Sequence, residues 1–395
     1  MLPTLETLEE ALGGLEGRRI LLRADFNVPL DDNGQITDDF RIRAALPTIR
    51  WLTGRSASVV ACSHLGRPKG QADHRYSMTA VRERLTQLAE GVELLENLRF
   101  DPGEVANDAR FVGRLVEGCD GYVNDAFGAS HRAHASVVGP PALLPSAAGR
   151  LLAKEVEVLS ALRQQPKRPF VAVLGGAKVS DKLGVIEALV EIADEVLIGG
   201  GMCFTFLAAQ GHSVGESLLQ ADQIDACAKL LDAGAPIRLP SDIVALTPSE
   251  TVIQAGLNLE PDWRGLDIGP GTAAEFGDLI SQARTVLWNG PMGLFEDARF
   301  AAGTKVVAQA LSKSRAYTVV GGGDSAAAAR EFGLVADMDH VSTGGGASLE
   351  LLQHGDLVGI QALRESTHTG SGGIGSAGIG AANTVSGHTG SGQHG

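Results

Sequence analysis

Several features that mark other protein classes are scarce in this chain of 395 residues. Aromatic residues make up only 5%, and the four cysteines (Cys62, Cys119, Cys203 and Cys227) form no CxxC pair and lack the histidine spacing of a zinc site. No Gly-Lys dipeptide occurs, which excludes a Walker A loop. The longest apolar runs have about five to eight residues, too few to cross a bilayer. These absences argue against a zinc-held domain, a P-loop nucleotide site and a membrane-spanning protein.

The remaining composition is ordinary for a globular protein, with 44% hydrophobic and 20% charged residues. The length allows two or three domains with large cores. The acidic N-terminus lacks the charged-then-apolar pattern of a secretion signal. We therefore expect a cytoplasmic protein whose cysteines are buried and reduced.

The charge of the chain is unevenly distributed. The total of −14 argues against a general nucleic-acid or membrane-surface binder. Residues 1–165 carry a net charge of −3 and residues 166–395 carry −11. A nearly neutral, arginine-rich half in an acidic protein suggests a local anion site, although random drift of surface charge would give the same imbalance.

Short apolar runs that end in Gly, Pro, Asn or Asp recur along the chain, with helical stretches between them. Such runs are typical of buried parallel strands in βαβ units. In the first half they are 19–23, 58–62, 92–95 and 121–123, and in the second 170–174, 195–198, 285–288, 317–320 and 340–343. The pattern predicts helices at 181–194, 222–233 and 303–313.

The pattern thus predicts an α/β protein with two doubly wound, Rossmann-like parallel-sheet domains. A helix over 148–164 joins them as a hinge helix, and Pro166 and Pro169 mark its end. We place the N-terminal domain at 1–165 and the C-terminal domain at 166–350.

Residues 367–395 have a different composition. Ten of these 29 residues are glycine, none is charged, and His-Thr-Gly-Ser-Gly occurs twice, at 368–372 and 388–392. Such a segment cannot bury enough apolar surface to offset its ordering entropy, so we expect a flexible tail. Metal binding by His368, His388 and His394 is a weaker alternative.

The side chains that follow the strands differ between the two halves. Ligands bind beyond the carboxyl ends of the strands in open parallel sheets, so each half should carry a site there. The first half offers a basic site, because arginine matches carboxylate and phosphate in bidentate geometry. Its candidates are Asp25, Asn27, Arg41, His64, Arg67, Arg99 and Arg132. His131 and His134 could be site residues or structural histidines.

The second half offers three triple-glycine loops at strand ends, at 199–201, 321–323 and 344–346. Glycine allows close backbone approach, and helix N-termini present free N–H groups to anions. Lys178 and Lys182 are spaced i, i+4, so we expect them on one helix face beside a polyphosphate. The alternatives are ordinary tight turns and two solvated lysines.

Two glycine patterns resemble a dinucleotide fingerprint. The GxGxxG match at 370–375 has no strand before it. The looser GxGxxA match at 321–326 does follow a strand, but no acidic residue occurs at 340–346, about twenty positions later. A dinucleotide-dependent dehydrogenase is therefore a poorly supported alternative.

Taken together, the motifs resemble those of phosphoglycerate kinases over about residues 5–366. The first half contributes RADFNVP at 23–29, FRI at 40–42, SHLGRP at 63–68, ENLRF at 96–100, NDAFG at 124–128 and HRAHAS at 131–136. The second half contributes GGAKVSDK at 175–182, WNGP at 288–291, GGGD at 321–324 and STGGGASLE at 342–350.

The resemblance implies two α/β domains with a hinge helix, and a return of residues 351–366 to the first domain. It implies a phosphotransferase with a carboxyl acceptor (EC 2.7.2.3) that converts 1,3-bisphosphoglycerate and Mg-ADP reversibly to 3-phosphoglycerate and Mg-ATP. The pathway would be glycolysis, gluconeogenesis or carbon fixation. The implied enzyme is a cytoplasmic monomer that binds no nucleic acid and no membrane.

The resemblance also implies a role for each candidate. The seven basic-site candidates would bind phosphoglycerate, Asp324 would bind Mg²⁺, and Arg41, Lys178, Gly344, Gly345 and Gly346 would be catalytic. The nucleotide would contact Gly175, Lys178, Lys182, Gly199, Gly200, Gly201, Asn289, Pro291, Glu296, Gly322, Gly323, Asp324 and Ser325.

The reaction needs no general base, because the acceptor carboxylate is already ionised at pH 7. Catalysis would rest on positioning and on neutralising phosphoryl oxygens, after closure of the two domains. A catalytically silent nucleotide-binding module is the rival hypothesis, and intact Arg41, Lys178 and Asp324 argue against it.

Overall fold

The computed structural model describes residues 1–369, with side chains for residues 1–366. The last helix continues to Thr369, so the predicted flexible tail begins with three helical residues. The remainder of that tail lies outside the described residues.

A five-stranded parallel sheet is formed by the first part of the chain, with strand order β3-β2-β1-β4-β5. Its central strands are short apolar runs that are buried along almost their whole length, as expected for a sheet covered on both faces. The strands are β1 (Arg19–Arg23), β2 (Ser58–Cys62), β3 (Val92–Leu94), β4 (Gly121–Asn124) and β5 (Ser146–Ala148).

A six-stranded parallel sheet follows, with strand order β14-β13-β12-β6-β7-β8. The chain order is interrupted at β12, which pairs with β6 in the middle of the sheet. The strands are β6 (Phe170–Leu174), β7 (Glu195–Ile198), β8 (Ile237–Arg238), β12 (Thr285–Asn289), β13 (Tyr317–Gly321) and β14 (His340–Val341).

The pattern of apolar runs does not predict the third sheet, which is small and antiparallel. It consists of β9 (Ile243–Leu246), β10 (Val252–Ala255) and β11 (Arg264–Ile268). Strand β10 is half-exposed, so it lacks the buried apolar run by which the parallel strands are found. Its strand β11 carries Asp267, a buried carboxyl residue of the second half.

Helices connect the parallel strands. The first seven are α1 (Leu5–Leu12), α2 (Phe40–Thr53), α3 (Thr79–Leu88), α4 (Pro102–Ala106), α5 (Ala109–Val116), α6 (Ala135–Val138) and α7 (Arg150–Gln164). The others are α8 (Leu183–Val190), α9 (Cys203–Ala209), α10 (Ile224–Asp232), α11 (Pro270–Gln282), α12 (Ala302–Lys313), α13 (Gly323–Glu331), α14 (Gly345–His354) and α15 (Val358–Thr369).

Helix α7 occupies the position predicted for the connecting helix. A residue outside the helix caps its first turn. The buried Asp125 carboxylate accepts hydrogen bonds from the N–H groups of Leu151 and Leu152. Its apolar face belongs to a core that includes residues of both parallel sheets. Helix α15 packs against α6 and β5, which returns the chain to the first sheet.

Within residues 1–369, no helix combines the length and the apolar character needed to cross a membrane. All four cysteines are free thiols; Cys119 is half-buried and the other three are buried. The expected burial is therefore confirmed for three cysteines and was wrong for Cys119.

Candidate active site

All seven basic-site candidates line one cavity of about 770 Å³ at the carboxyl edge of the first sheet. His131 and His134 line it as well, as do Gly344, Gly345 and Gly346 from the second half. The cavity therefore combines arginine side chains from one half with a helix N-terminus from the other.

Arg41 lies where the two halves touch. It sits in the first turn of α2, and its guanidinium donates from Nη1 to the Asn27 carbonyl oxygen at 2.5 Å. Its Nη2 donates to the carbonyl oxygen of Thr343, at 3.2 Å, just before α14. The two contacts fix the charged end of Arg41 between the basic cavity and the glycine loop.

Asp25 is the one carboxylate among the residues that line this cavity. Burial by itself would raise the pKa of Asp25, but the charges of Arg41 and Arg23 and a hydrogen bond from the Asn27 N–H help to hold that pKa below its ordinary value. Asn27 next to it accepts a hydrogen bond on Oδ1 from the Gly66 N–H at 2.8 Å.

A buried polar network supports the cavity from below, and the sequence reasoning did not assign it a function. Arg23 contacts His64 and Ser136, and Ser136 in turn contacts the buried carboxylate of Glu104. A signal was present in the sequence, since Arg23 ends a buried strand whose three middle residues are apolar. A charged group at such a position must find buried partners.

The loop before α14 is held by Glu155, a fully buried residue of α7. The Glu155 carboxylate accepts hydrogen bonds from the Thr343 N–H at 2.7 Å and from Thr343 Oγ1 at 2.9 Å. His340 Nε2 lies 2.8 Å from the other carboxylate oxygen. The connecting helix thus fixes the glycine loop, a role that no motif in the sequence indicated.

Gly344 approaches the first half closely. A methyl group on Gly344 would lie 2.5 Å from the Cα atom of Gly128, which no real contact allows. Helix α14 begins one residue later, so the N–H groups of its first turn lack intrahelical partners and face the basic cavity. Glycine is required here for close packing of two backbones.

A second cavity, of about 220 Å³, lies at the carboxyl edge of the second sheet. Five of the nucleotide candidates line it: Gly200, Gly201, Pro291, Glu296 and Asp324. Apolar side chains that the sequence reasoning missed complete it: Phe204, Leu218, Leu266, Met292 and Leu294. Leu218 and Leu294 are 59% and 46% exposed, so a flat apolar ligand in this cavity would remove apolar surface from water.

The remaining nucleotide candidates are distributed below and beside this cavity. Gly322 and Gly323 line a cleft between the halves, together with Arg41 and Thr343. Gly175, Gly199 and Asn289 are buried where strands of the second sheet end, and Ser325 is buried in the first turn of α13.

The two lysines do not share a helix face, so that prediction was wrong. Helix α8 begins only at Leu183, and the intervening residues form turns. Lys178 is exposed and makes no hydrogen bond or ion pair within residues 1–369. The glycine-rich stretch before Lys178 favours a loop over the early helix start that the i, i+4 spacing suggested.

Lys182 is buried and connects two strand ends. Its ammonium group donates to the Gly175 carbonyl at 2.6 Å, to the Asn289 carbonyl at 2.8 Å and to Asn289 Oδ1 at 2.5 Å. Burial lowers the pKa of Lys182 to about 8, against the opposing effect of Asp324 and Asp181.

An ion pair between Arg330 and Asp38, at 3.1 Å, links the two halves beside the cleft. The Arg330 guanidinium also lies over the Phe40 ring, which begins α2. Together with the contacts of Arg41 and Gly344, this pair keeps the basic cavity and the glycine loop adjacent.

Comparison with known proteins identifies the family. The sequence profile described as "Phosphoglycerate kinase" matches residues 10–94 and 88–355. The phosphoglycerate kinase of Salinispora arenicola is 52% identical, and the alignment covers 91% of this chain and 99% of the relative. The corresponding enzyme of Parafrankia sp. is 50% identical, with 88% and 97% covered.

Solved structures give the same result. The phosphoglycerate kinase of Coxiella burnetii superposes with a TM-score of 0.82 at 37% identity and covers 92% of this chain and 99% of its own. The Pyrococcus horikoshii enzyme gives 0.80 at 32% identity, with 90% and 98% covered. The α/β fold and the resemblance seen in the sequence are both confirmed, and the chain belongs to the phosphoglycerate kinase family of phosphotransferases.

Proposed function

We propose that the basic cavity binds 3-phosphoglycerate and 1,3-bisphosphoglycerate, and that the smaller cavity binds ATP and ADP. The observation that carries the proposal is the common cavity of seven polar and basic side chains and the glycine loop 344–346. Its guanidinium groups suit carboxylate and phosphate, while the apolar walls of the other cavity suit a nucleobase.

In the direction that consumes ATP, a carboxylate oxygen of 3-phosphoglycerate attacks the γ-phosphorus. The bond from that phosphorus to the ADP oxygen breaks, and an acyl phosphate forms. Arg41 and the amides of Gly344, Gly345 and Gly346 flank the cavity between the halves, where they would stabilise the equatorial oxygens of the migrating group. No side chain has to accept a proton, because the attacking carboxylate is already ionised.

Asp324 fits a role as the Mg²⁺ ligand of the nucleotide. Its carboxylate is exposed at the cavity and forms no hydrogen bond or ion pair with residues 1–366. Magnesium in such sites takes one or two carboxylates and completes its shell with phosphates and water. When bound, Mg²⁺ would neutralise charge on the nucleotide phosphates.

The two lysines take different parts in the proposal. Lys178, exposed beside the cavity and without partners in residues 1–369, is free to reach the transferring phosphoryl group. Lys182 holds the strand ends at Gly175 and Asn289 together. Its ammonium group lies close enough to Asp324 for that carboxylate to raise the pKa of Lys182, against the effect of burial. It would therefore contribute both to loop geometry and to the field around the phosphates.

Calorimetric titration with 3-phosphoglycerate, together with a coupled assay of ADP formation, tests the proposal. Arg67→Ala and Arg132→Ala should each weaken phosphoglycerate binding by about tenfold or more, as expected for a lost charged hydrogen bond. Arg114→Ala is the matched control, since this exposed arginine pairs with Asp101 and does not line the cavity. Unchanged affinity in both cavity variants would contradict the assignment.

We also propose a domain boundary near residue 165, where α7 ends, and a cytoplasmic location. We propose a monomer because one chain supplies every lining residue of both cavities. A chain ending at Ser366 should match the full-length protein in the same assay. Light scattering should give the mass of one chain, 41.0 kDa.

A further inference from the structure

A fully buried arginine lies beneath the basic cavity without lining it. Arg23 is the last residue of β1 and is 1% exposed. Its Nε donates to Ser136 Oγ at 2.8 Å, and its Nη1 donates to the Ala24 carbonyl oxygen. Its Nη2 lies 3.2 Å from Nδ1 of His64, a residue that does line the cavity.

Glu104 balances the charge of this arginine through Ser136. The carboxylate is completely buried and accepts from Ser136 Oγ at 2.6 Å and from the Ser136 N–H at 2.9 Å. The Ser136 hydroxyl thus accepts from Arg23 and donates to Glu104. A buried guanidinium is costly without such compensation, so the network holds Arg23 in one position.

The contact between Arg23 and His64 determines where the histidine carries its proton. Guanidinium is a donor only and stays protonated in proteins, so a hydrogen bond between the two side chains requires a lone pair on Nδ1. A neutral histidine with an unprotonated Nδ1 carries its proton on Nε2. Within the described residues, Nε2 of His64 forms no hydrogen bond. The His64 ring lies in the wall of the cavity.

We propose that Arg23, balanced by Glu104, is a positioning residue that fixes His64 as the neutral Nε2–H tautomer and so directs a hydrogen-bond donor at the anionic ligand. The inference deepens the proposed function, since it rests on a phosphoglycerate site in this cavity. It adds an uncharged donor to a surface that already carries four arginines.

The surroundings of His64 favour the same state. Burial lowers the pKa of His64 to about 3; Asp25 opposes this shift, and Arg23, Arg99 and Arg41 reinforce it. A histidine with the opposite tautomer would present a lone pair to an anion. The Arg23 contact therefore turns a repulsive ring edge into a donor.

The direct test is ¹⁵N NMR of the ligand-free protein labelled at histidine, with His64 assigned from the signals lost in His64→Gln. Between pH 5 and pH 8, His64 should show an unprotonated Nδ1, a protonated Nε2 and no titration. A protonated Nδ1, or titration near pH 6.5, would overturn the proposal. This readout needs no variant of Arg23 and no enzymatic activity.

A double variant, Arg23→Met with Glu104→Gln, removes both buried charges together and so leaves neither unpaired. It should lose the single tautomer and raise KM for 3-phosphoglycerate by about tenfold, with KM for ATP unchanged. The control is Arg19→Met with Glu93→Gln, an ion pair at the other end of β1 that should change neither quantity. A double variant with the tautomer and KM of wild type would also refute the proposal.

Addition of 3-phosphoglycerate separates the two hypotheses. It should shift the Nε2 resonance of His64 in wild-type protein. An unshifted resonance in an enzyme that turns over 3-phosphoglycerate would refute the role of His64 inferred here. Absence of turnover that depends on 3-phosphoglycerate would instead reject the proposed function.

Discussion

The two halves of the molecule present their cavities with different parts of the chain. The first half uses side chains, above all the four arginines of the basic cavity. The second half uses backbone, through glycine loops at 176, 200–201 and 322–323 and the helix that starts at 345. Substitutions in the first half should therefore reduce activity when they remove a charged side chain. Substitutions in the second half should reduce activity when they add a side chain to a glycine.

This difference follows from the two tasks. A small ligand with a carboxylate and a phosphate needs several directed donors, and guanidinium groups supply them in a fixed fork geometry. A polyphosphate that must be placed within reach of a second ligand needs close approach, which only glycine permits without strain or overlap. The predictions below test this division, beginning with the largest expected effect on turnover.

Arg41→Ala should cause the largest loss, about a thousandfold in kcat, because it removes a guanidinium group that contacts both Asn27 in the basic cavity and Thr343 just before the glycine loop. KM for ATP should hardly change. Steady-state kinetics measure both constants, and Arg43→Ala on the exposed side of the same helix is the control. A nearly normal kcat would contradict the proposed role of Arg41.

Gly344→Ala should lower kcat by about a hundredfold, because the added methyl group overlaps Gly128 and moves the loop by a fraction of an ångström or more. Gly346→Ala should cost much less, since its methyl group would meet only His131, at 3.7 Å. Gly277→Ala in α11, remote from both cavities, controls for general effects of the substitution. Equal losses at 344 and 346 would remove the argument from close approach.

Asp324→Ala should increase the Mg²⁺ concentration needed for half-maximal activity by about tenfold or more. The measurement is a magnesium titration at saturating ATP and 3-phosphoglycerate. Asp337→Ala, which changes a carboxylate that does not line the smaller cavity, serves as control. If the titration curve does not move, Asp324 is not the metal ligand.

Asp267→Asn should affect stability more than turnover. Burial raises the pKa of Asp267 to about 7, against hydrogen bonds from the N–H groups of Gly303 and Ile268. The folded state therefore binds a proton more tightly than the unfolded state, and stability should fall as pH rises from about 4 to about 7. The variant should show a smaller slope than wild type in thermal melts recorded from pH 4 to pH 8, because the buried Asp125, whose pKa burial raises to about 6, keeps its own contribution. A slope equal to that of wild type would show that Asp267 is ionised throughout.

Much of the fold could be predicted because its signals are local. The strand at Phe170–Leu174 is read directly from a buried apolar run, and α7 from its helical pattern and the prolines that follow. The exposed strand Val252–Ala255 had no such pattern, since partial burial leaves no continuous apolar run. The early helix start expected at residue 181 was wrong because local spacing does not reveal a loop.

The candidate site was likewise predictable where its signals are local and not where they depend on distant residues. Its arginines were found because they follow strands whose carboxyl ends converge. The supports were not found, because Glu104 and Glu155 act through partners 32 and 188 residues away in sequence. A carboxylate on a helix gives no local sign of whether it is solvated or buried against a distant loop.

The sequence alone therefore determined the strand and helix pattern, the acidic charge with its nearly neutral, arginine-rich first half, and the residue types available where strands end. These depend on the chain within a few residues of each position. Only the tertiary structure decided that Arg41 reaches Thr343, that Lys182 connects two strands and that Arg23 faces His64. Those contacts join residues far apart along the chain, and they exist because packing two sheets around α7 leaves each buried charge only one set of partners.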